Sequence, residues 1–192
     1  MPKMTQTKTK GLILKTALIF LSAYIIFLIL WIQVKDYYGY AITYIASNLT
    51  MAVKDSEFKE IKTTKNEDIL EATFRRYTYR REMLIGIPVK TSAYTFNAPL
   101  TFAIMAAFYS FIKRKKRAYV EVILILITVH ILYVFSLETK SLTEVFMGKG
   151  FDPVSMPRLA IYQFLWSFTD NMIIRFEPFL IGFYLFLRFK GH

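Results

Sequence analysis

The sequence predicts an α-helical integral membrane protein with four transmembrane helices and a small extracytoplasmic α+β element, an amphipathic helix plus about three antiparallel strands. Three observations carry this expectation. Of 192 residues, 55% are hydrophobic and only 20% charged, where soluble domains carry about a quarter charged, and the mean hydropathy is +0.36. Uncharged apolar runs recur at lengths that suit a bilayer. The basic residues gather in the short segments that join those runs. The chain has no cysteine, which excludes disulfides, thiolate metal sites and a thiol nucleophile.

The first span is expected over 16–34, between Lys15 and Lys35, a length that crosses a hydrocarbon core of about 30 Å at about 1.5 Å per residue. With no small-residue cleavage site after it, it reads as an uncleaved signal anchor. The second span is expected over 94–112 and the third over 119–137. A long fourth helix over 159–187 would measure about 44 Å and overshoot the core, so it should project or bend, with Pro178 the expected place.

Charge orients these spans. Lys3, Lys8, Lys10 and Lys15 precede the first, the run Lys113–Arg117 joins the second to the third, and Arg188 and Lys190 follow the fourth. These segments are expected to face the cytoplasm. The segment from Lys35 to Lys90 holds ten basic and eight acidic residues, so 35–93 is expected outside. The net charge of +11 is then a topology signal. No nucleic-acid role is expected, because the basic run is a connector between two apolar helices.

Residues 37–53 are also uncharged. A fifth span there would put the Lys113–Arg117 run outside, against the charge rule. Tyr37, Tyr40, Tyr44, Ile45, Leu49 and Val53 share one helical face while Thr43, Ser47 and Thr50 fall elsewhere, the pattern of a helix lying in the interface. Over 54–92 the period changes to two. Phe58 and Ile61, then Leu70, Ala72 and Phe74, then Met83, Ile85, Ile87 and Val89 mark three strands, with Pro88 making the third an edge or ending its pairing. Asn66-Glu67-Asp68 reads as a turn. The run Phe74–Arg81 holds four arginines and two tyrosines. Arg75, Arg76, Arg80 and Arg81 are candidates for an anion or lipid-headgroup contact; a solvated strand face paired with nearby glutamates is the plainer alternative.

Ionisable groups inside spans are costly and therefore candidates for function. His130 falls centrally in the third span, Asp170, Arg175 and Glu177 in the fourth, and Asn97 near one end of the second. Asp170 is placed nearest the outer interface; Arg175 and Glu177, two apart on a helix, do not face each other. No nucleophile stands in register with a base, and no cofactor or metal motif is present. No catalytic residue, cofactor or metal site is therefore expected. A small intramembrane enzyme or a lipid- or ion-handling protein using polar residues of the third and fourth helices is the alternative reading.

At Thr95-Phe96-Asn97-Ala98-Pro99-Leu100, at Ala160-Ile161-Tyr162-Gln163-Phe164 and at Glu177-Pro178-Phe179-Leu180, the chain resembles the small membrane proteins associated with exosortases, of the exosortase H-associated type. The order of anchor, outer strand-rich segment, basic turn and long final helix agrees over most of the chain. The resemblance implies a noncatalytic accessory in the bacterial inner membrane. Its system is one in which an integral-membrane cysteine enzyme cuts proteins bearing a C-terminal sorting signal. Membrane lipid, that enzyme and its tagged substrates are the implied partners, and Asn97, His130, Tyr162, Gln163, Asp170, Arg175 and Glu177 the candidate partner-binding or intramembrane polar residues.

Overall fold

A computed structural model describes residues 3–54, 56–63, 68–77, 82–112, 115–150 and 156–189, with side chains from residue 10 onward. The elements run α1 (Lys3–Val53), β1 (Glu57–Thr63), β2 (Ile69–Tyr77), β3 (Glu82–Lys90), α2 (Ser92–Thr95), α3 (Asn97–Phe108), α4 (Lys115–Gly148) and α5 (Met156–Phe168). A π-helical segment (Thr169–Ile174) and α6 (Arg175–Phe189) follow. The protein is thus mostly helical with one three-stranded antiparallel sheet. Among the described residues two helices are long and apolar enough to cross a membrane, Lys10–Val53 within α1 and Lys115–Gly148.

Two compact units divide the chain, Met1–Val34 with Phe96–Leu126 and Phe176–His192, and Lys35–Thr95 with Ile127–Arg175. In the first, Ala98 and Met105 of α3, Val122 and Leu126 of α4 and Ile181 and Leu185 of α6 form the buried core, with Trp31 and Phe102 packed on it. Phe27 of α1 meets Phe102 at 5.5 Å between ring centroids.

In the second unit the strand order is β1-β2-β3. Ala72 stands opposite Ile61 on one side and Ile87 on the other, and β1 carries a bulge between Phe58 and Glu60. Period-two alternation sends Ala72, Phe74, Ile85 and Ile87 to one face, where they pack on Leu142 and Phe146 of α4. Phe58 bridges Phe74 and Tyr44 of α1, with ring centroids 5.8 Å apart in both pairs. Pro88 lies on an edge strand, as its missing N–H requires. Of the expected turn, Asn66 and Glu67 lie outside the described residues.

The structure departs from expectation in three places. The helix of 37–53 is no separate element: α1 runs unbroken for 51 residues. Lys35 and Asp36 do not end it, because a helix tolerates a charge whose partner lies beside it, and Lys35 Nζ donates to Asp68 Oδ1 at 2.9 Å. The buried face of this stretch is the one that carries the hydroxyls. Ile42, Thr43, Ala46, Ser47 and Thr50 are buried, whereas Tyr37 is 81% exposed and Tyr40, Tyr44 and Leu49 also point outward. Second, α3 has 12 residues, about 18 Å, with α2 and a turn at Tyr109–Ile112 extending the helical path on either side. Third, the irregularity in the final helix is the π segment and not a bend at Pro178 itself. A proline ring crowds the carbonyl four residues before it and cannot donate to it; that carbonyl belongs to Ile174, where the π segment ends.

Asp68 ties the sheet to the helices. It accepts from Lys35 and from Thr91 Oγ1 at 3.0 Å, and Thr91 N donates to its carbonyl at 2.9 Å. Gly39 is required at this junction, since a Cβ there would stand 2.8 Å from Thr91 Cγ2. Burial alone would raise the Asp68 carboxyl, but the donors Lys35, Thr91 and Ser92 outweigh it and hold it below the ordinary 3.8. A carboxyl depressed by folding stabilises above its unfolded pKa and loses that contribution as pH falls through the lower folded value. Asp68→Ala should therefore cost about 1–3 kcal/mol at neutral pH. In detergent, its melting temperature should fall below that of the unmodified chain at pH 7, and the gap should narrow below pH 3.8.

Candidate functional site

On α1 the residues Thr43, Ser47, Thr50 and Lys54 recur at spacings of four, three and four, which places them on one helical face. Opposite them α4 presents Glu138, with no exposed surface. Ser47 Oγ donates to one carboxylate oxygen at 2.7 Å and Thr50 Oγ1 to the other at 2.9 Å. One turn on, the buried Lys54 ammonium donates to Thr143 Oγ1 at 2.5 Å and lies 3.9 Å above the Tyr162 ring. The Thr143 hydroxyl in turn donates a hydrogen bond to the Thr139 carbonyl at 2.5 Å. An acid and a base are thus buried on two helices, each satisfied by neutral hydroxyls or an aromatic face. Such contacts hold helices where water does not reach.

A row of aromatic rings lies in the same unit. His130 is fully buried, its Nδ1 2.7 Å from the Tyr38 hydroxyl, with the Tyr94 ring edge-on at 5.2 Å. Tyr133 follows Tyr94 at 5.4 Å, and Trp166 follows Tyr133 at 5.1 Å. Ser136 donates to the Tyr133 carbonyl at 2.9 Å, so the serine nearest His130 in the third predicted span is occupied with backbone.

In the first unit Asn97 Nδ2 donates to Glu177 Oε2 at 2.9 Å, and Glu177 is 2% exposed. Asn97 opens α3, and Glu177 stands in the first turn of α6. Two of the residues singled out from sequence therefore meet across 80 positions. The others are dispersed. Arg175 is exposed, Asp170 half-buried in the π segment, Tyr162 half-buried beneath Lys54, and Gln163 exposed with a 3.4 Å contact to Glu144. Asn171 donates to the Ser167 carbonyl at 3.0 Å.

The arginine run is occupied where it is described. Arg75 pairs with Glu57 at 2.6 Å and Glu82 at 3.1 Å, and its hydrogen bond holds the Glu57 carboxyl below the ordinary range despite opposing desolvation. The Arg76 guanidinium covers the Phe146 ring at 4.3 Å. Arg80 and Arg81 lie outside the described residues. Among the described residues no group of three or more His, Asp or Glu is placed to hold a metal ion.

Sequence reasoning passed over Glu138, Ser47, Thr50, Lys54 and Thr143. The available signal was the polar stripe of α1 at helical spacing, which has no use on a lipid-facing surface and so implies a polar partner.

In comparison with known proteins, the family described as exosortase H-associated membrane protein matches residues 6–189. No curated protein and no solved structure matches the chain.

The two buried carboxyl groups supply a stability test. Glu138→Ala leaves Ser47 and Thr50 without their acceptor and should cost about 3 kcal/mol, with Glu138→Gln costing clearly less because an amide keeps an acceptor. A double-mutant cycle on Asn97→Ala and Glu177→Ala should return a coupling of about 0.5–3 kcal/mol. Denaturation in detergent measures both, and strict additivity would show that the Asn97–Glu177 contact carries no stability.

Proposed function

The chain belongs to the exosortase H-associated membrane protein family, and on that premise we propose that it is a noncatalytic membrane accessory that binds the sorting enzyme or its C-terminally tagged substrates. The observation that carries the reading is the family match, which runs from residue 6 to residue 189 and so takes in nearly every element of the fold. The contacts of the polar side chains support it. His130, Glu138 and Glu177 are engaged by tyrosine, serine, threonine and asparagine within the chain. These are the partners of a structural polar group. Gln163 and Arg175 are exposed on the final helical stretch, which makes that stretch the best candidate for a partner surface. His130, Asn97, Glu177 and Tyr162 would then act by positioning the helices that present it.

The proposal includes the topology read from charge: four passes of the inner membrane, both termini cytoplasmic and 35–93 outside. The helical path from Ser92 through the turn at Tyr109–Ile112, and the continuous helical stretch Met156–Phe189, supply the material for the second and fourth passes.

Two experiments test the proposal. Reporter fusions after Arg117 and at the C-terminus should register cytoplasm, and fusions near Asn66 and Lys149 the outside; a cytoplasmic signal at Asn66 would refute the topology. In native membranes the tagged chain should co-purify the sorting enzyme or its cargo. Gln163→Ala with Arg175→Glu should lower that recovery at least fivefold at unchanged accumulation, and His130→Phe should leave cargo processing intact. Cleavage of a tagged substrate by the purified chain alone would overturn the accessory reading.

A further inference from the structure

The first unit contains an apolar groove of about 730 Å³. One wall is the stretch of α1 from Leu12 to Phe20, another the end of α3 and the turn after it from Ile104 to Phe111, and the third α6 from Phe179 to Phe186. Its lining includes the small residues Ala17, Ala107 and Gly182. At Gly182 a Cβ would stand 3.1 Å from Ile104 Cγ2, a tight approach. The wall residues remain open outward: Ile13 and Phe183 are each 63% exposed and Phe179 is 66% exposed.

Two features say what belongs there. The first is length. Each wall is eight or nine residues long, or about 12–14 Å at about 1.5 Å per residue, which is under half of a hydrocarbon core of about 30 Å. That is the depth of one leaflet. A partner's transmembrane helix would continue past the groove, whereas a lipid chain ends at the midplane. The second is charge. All three walls lead at one end into basic segments, with Lys10 before Leu12, Lys115 and Lys116 shortly after Phe111, and Arg188 after Phe186. Lys10 falls one helical turn before Ile13 and two before Ala17, on the groove's edge of α1. The only acidic residue in these stretches of sequence is Glu121, which Arg117 and Arg188 already engage at 2.8 and 3.1 Å. The end of the groove is therefore cationic, and basic pockets between helices recognise anionic lipid headgroups.

We propose that the groove seats an acyl chain of an anionic phospholipid, with the headgroup phosphate held at the cationic end by Lys10 and Lys115. Native mass spectrometry of the delipidated full chain in neutral detergent tests this, with phosphatidylglycerol and phosphatidylcholine of identical chains as the probes. A single phosphatidylglycerol adduct should form at least tenfold more than the phosphatidylcholine adduct. Lys10→Glu with Lys115→Glu should bring the phosphatidylglycerol adduct down to the phosphatidylcholine level. Ala17→Trp, which puts bulk into the groove from its α1 wall, should reduce both at least fivefold. Phe183→Asp, at an exposed position, should do the same and serves where the tryptophan variant does not accumulate. Equal uptake of the two lipids overturns the proposal, as does undiminished uptake by a groove variant that accumulates. A photocrosslinker at residue 17 that captures a protein in native membranes while no lipid adduct forms would assign the groove to a partner helix and overturn it equally.

Discussion

Burying a carboxyl group between helices is the constraint on which the second unit depends. Glu138 has no surface exposed, and a buried acid without donors destabilises a fold by several kcal/mol. The chain meets this with two hydroxyls one turn apart on α1, each taking one oxygen. That geometry fixes both the rotation and the axial register of α1 against α4, because a shift of one residue in either helix turns the hydroxyls away. Other contacts then follow. With the register set, Tyr38 reaches His130, and Lys54 reaches Thr143 and the Tyr162 ring. Leu142 and Phe146, one and two turns beyond Glu138, come into place beneath the sheet.

The sheet is consequently not a free-standing element. Three strands are near the minimum for independent stability, and these gain their apolar face from α4 and from Tyr44. Asp68 closes the other end by joining Lys35 of α1 to Thr91 at the end of β3. In the first unit the contact of Asn97 with Glu177 joins the start of α3 to the start of α6 in the same manner.

How much of this the sequence discloses depends on how local each feature is. The strands at Leu70–Phe74 and Met83–Val89 are legible because alternation is a property of neighbouring residues. Asn97 and Glu177 stand out singly for a different reason, that polar residues in apolar helices are few, but their contact across 80 positions is not a local feature. Which face of 37–53 turns in was not legible, because periodicity divides a helix into faces without saying which one is buried. In water the apolar face would be buried; beside lipid the polar face, Thr43, Ser47 and Thr50, finds its partners inside. Glu138 looked like the polar end of an apolar run, and only residues 88 and 91 positions away reveal it as buried. The π segment was not legible at all, since it is a choice among hydrogen-bonding patterns with no compositional mark.

The two edges of the sheet bear on how copies of this protein share a membrane. Molecules confined to a plane meet at a far higher effective concentration than in bulk, and their sheets are held at the same height. Open strand edges under those conditions would zip together into ribbons. One edge here, β1, alternates Glu57, Lys59, Glu60 and Lys62 and is kinked by its bulge; the other, β3, contains Pro88, which offers no N–H to a newcomer. Crowding in two dimensions is thus resisted at both margins by the backbone itself, and copies of the protein can stand side by side without their sheets fusing.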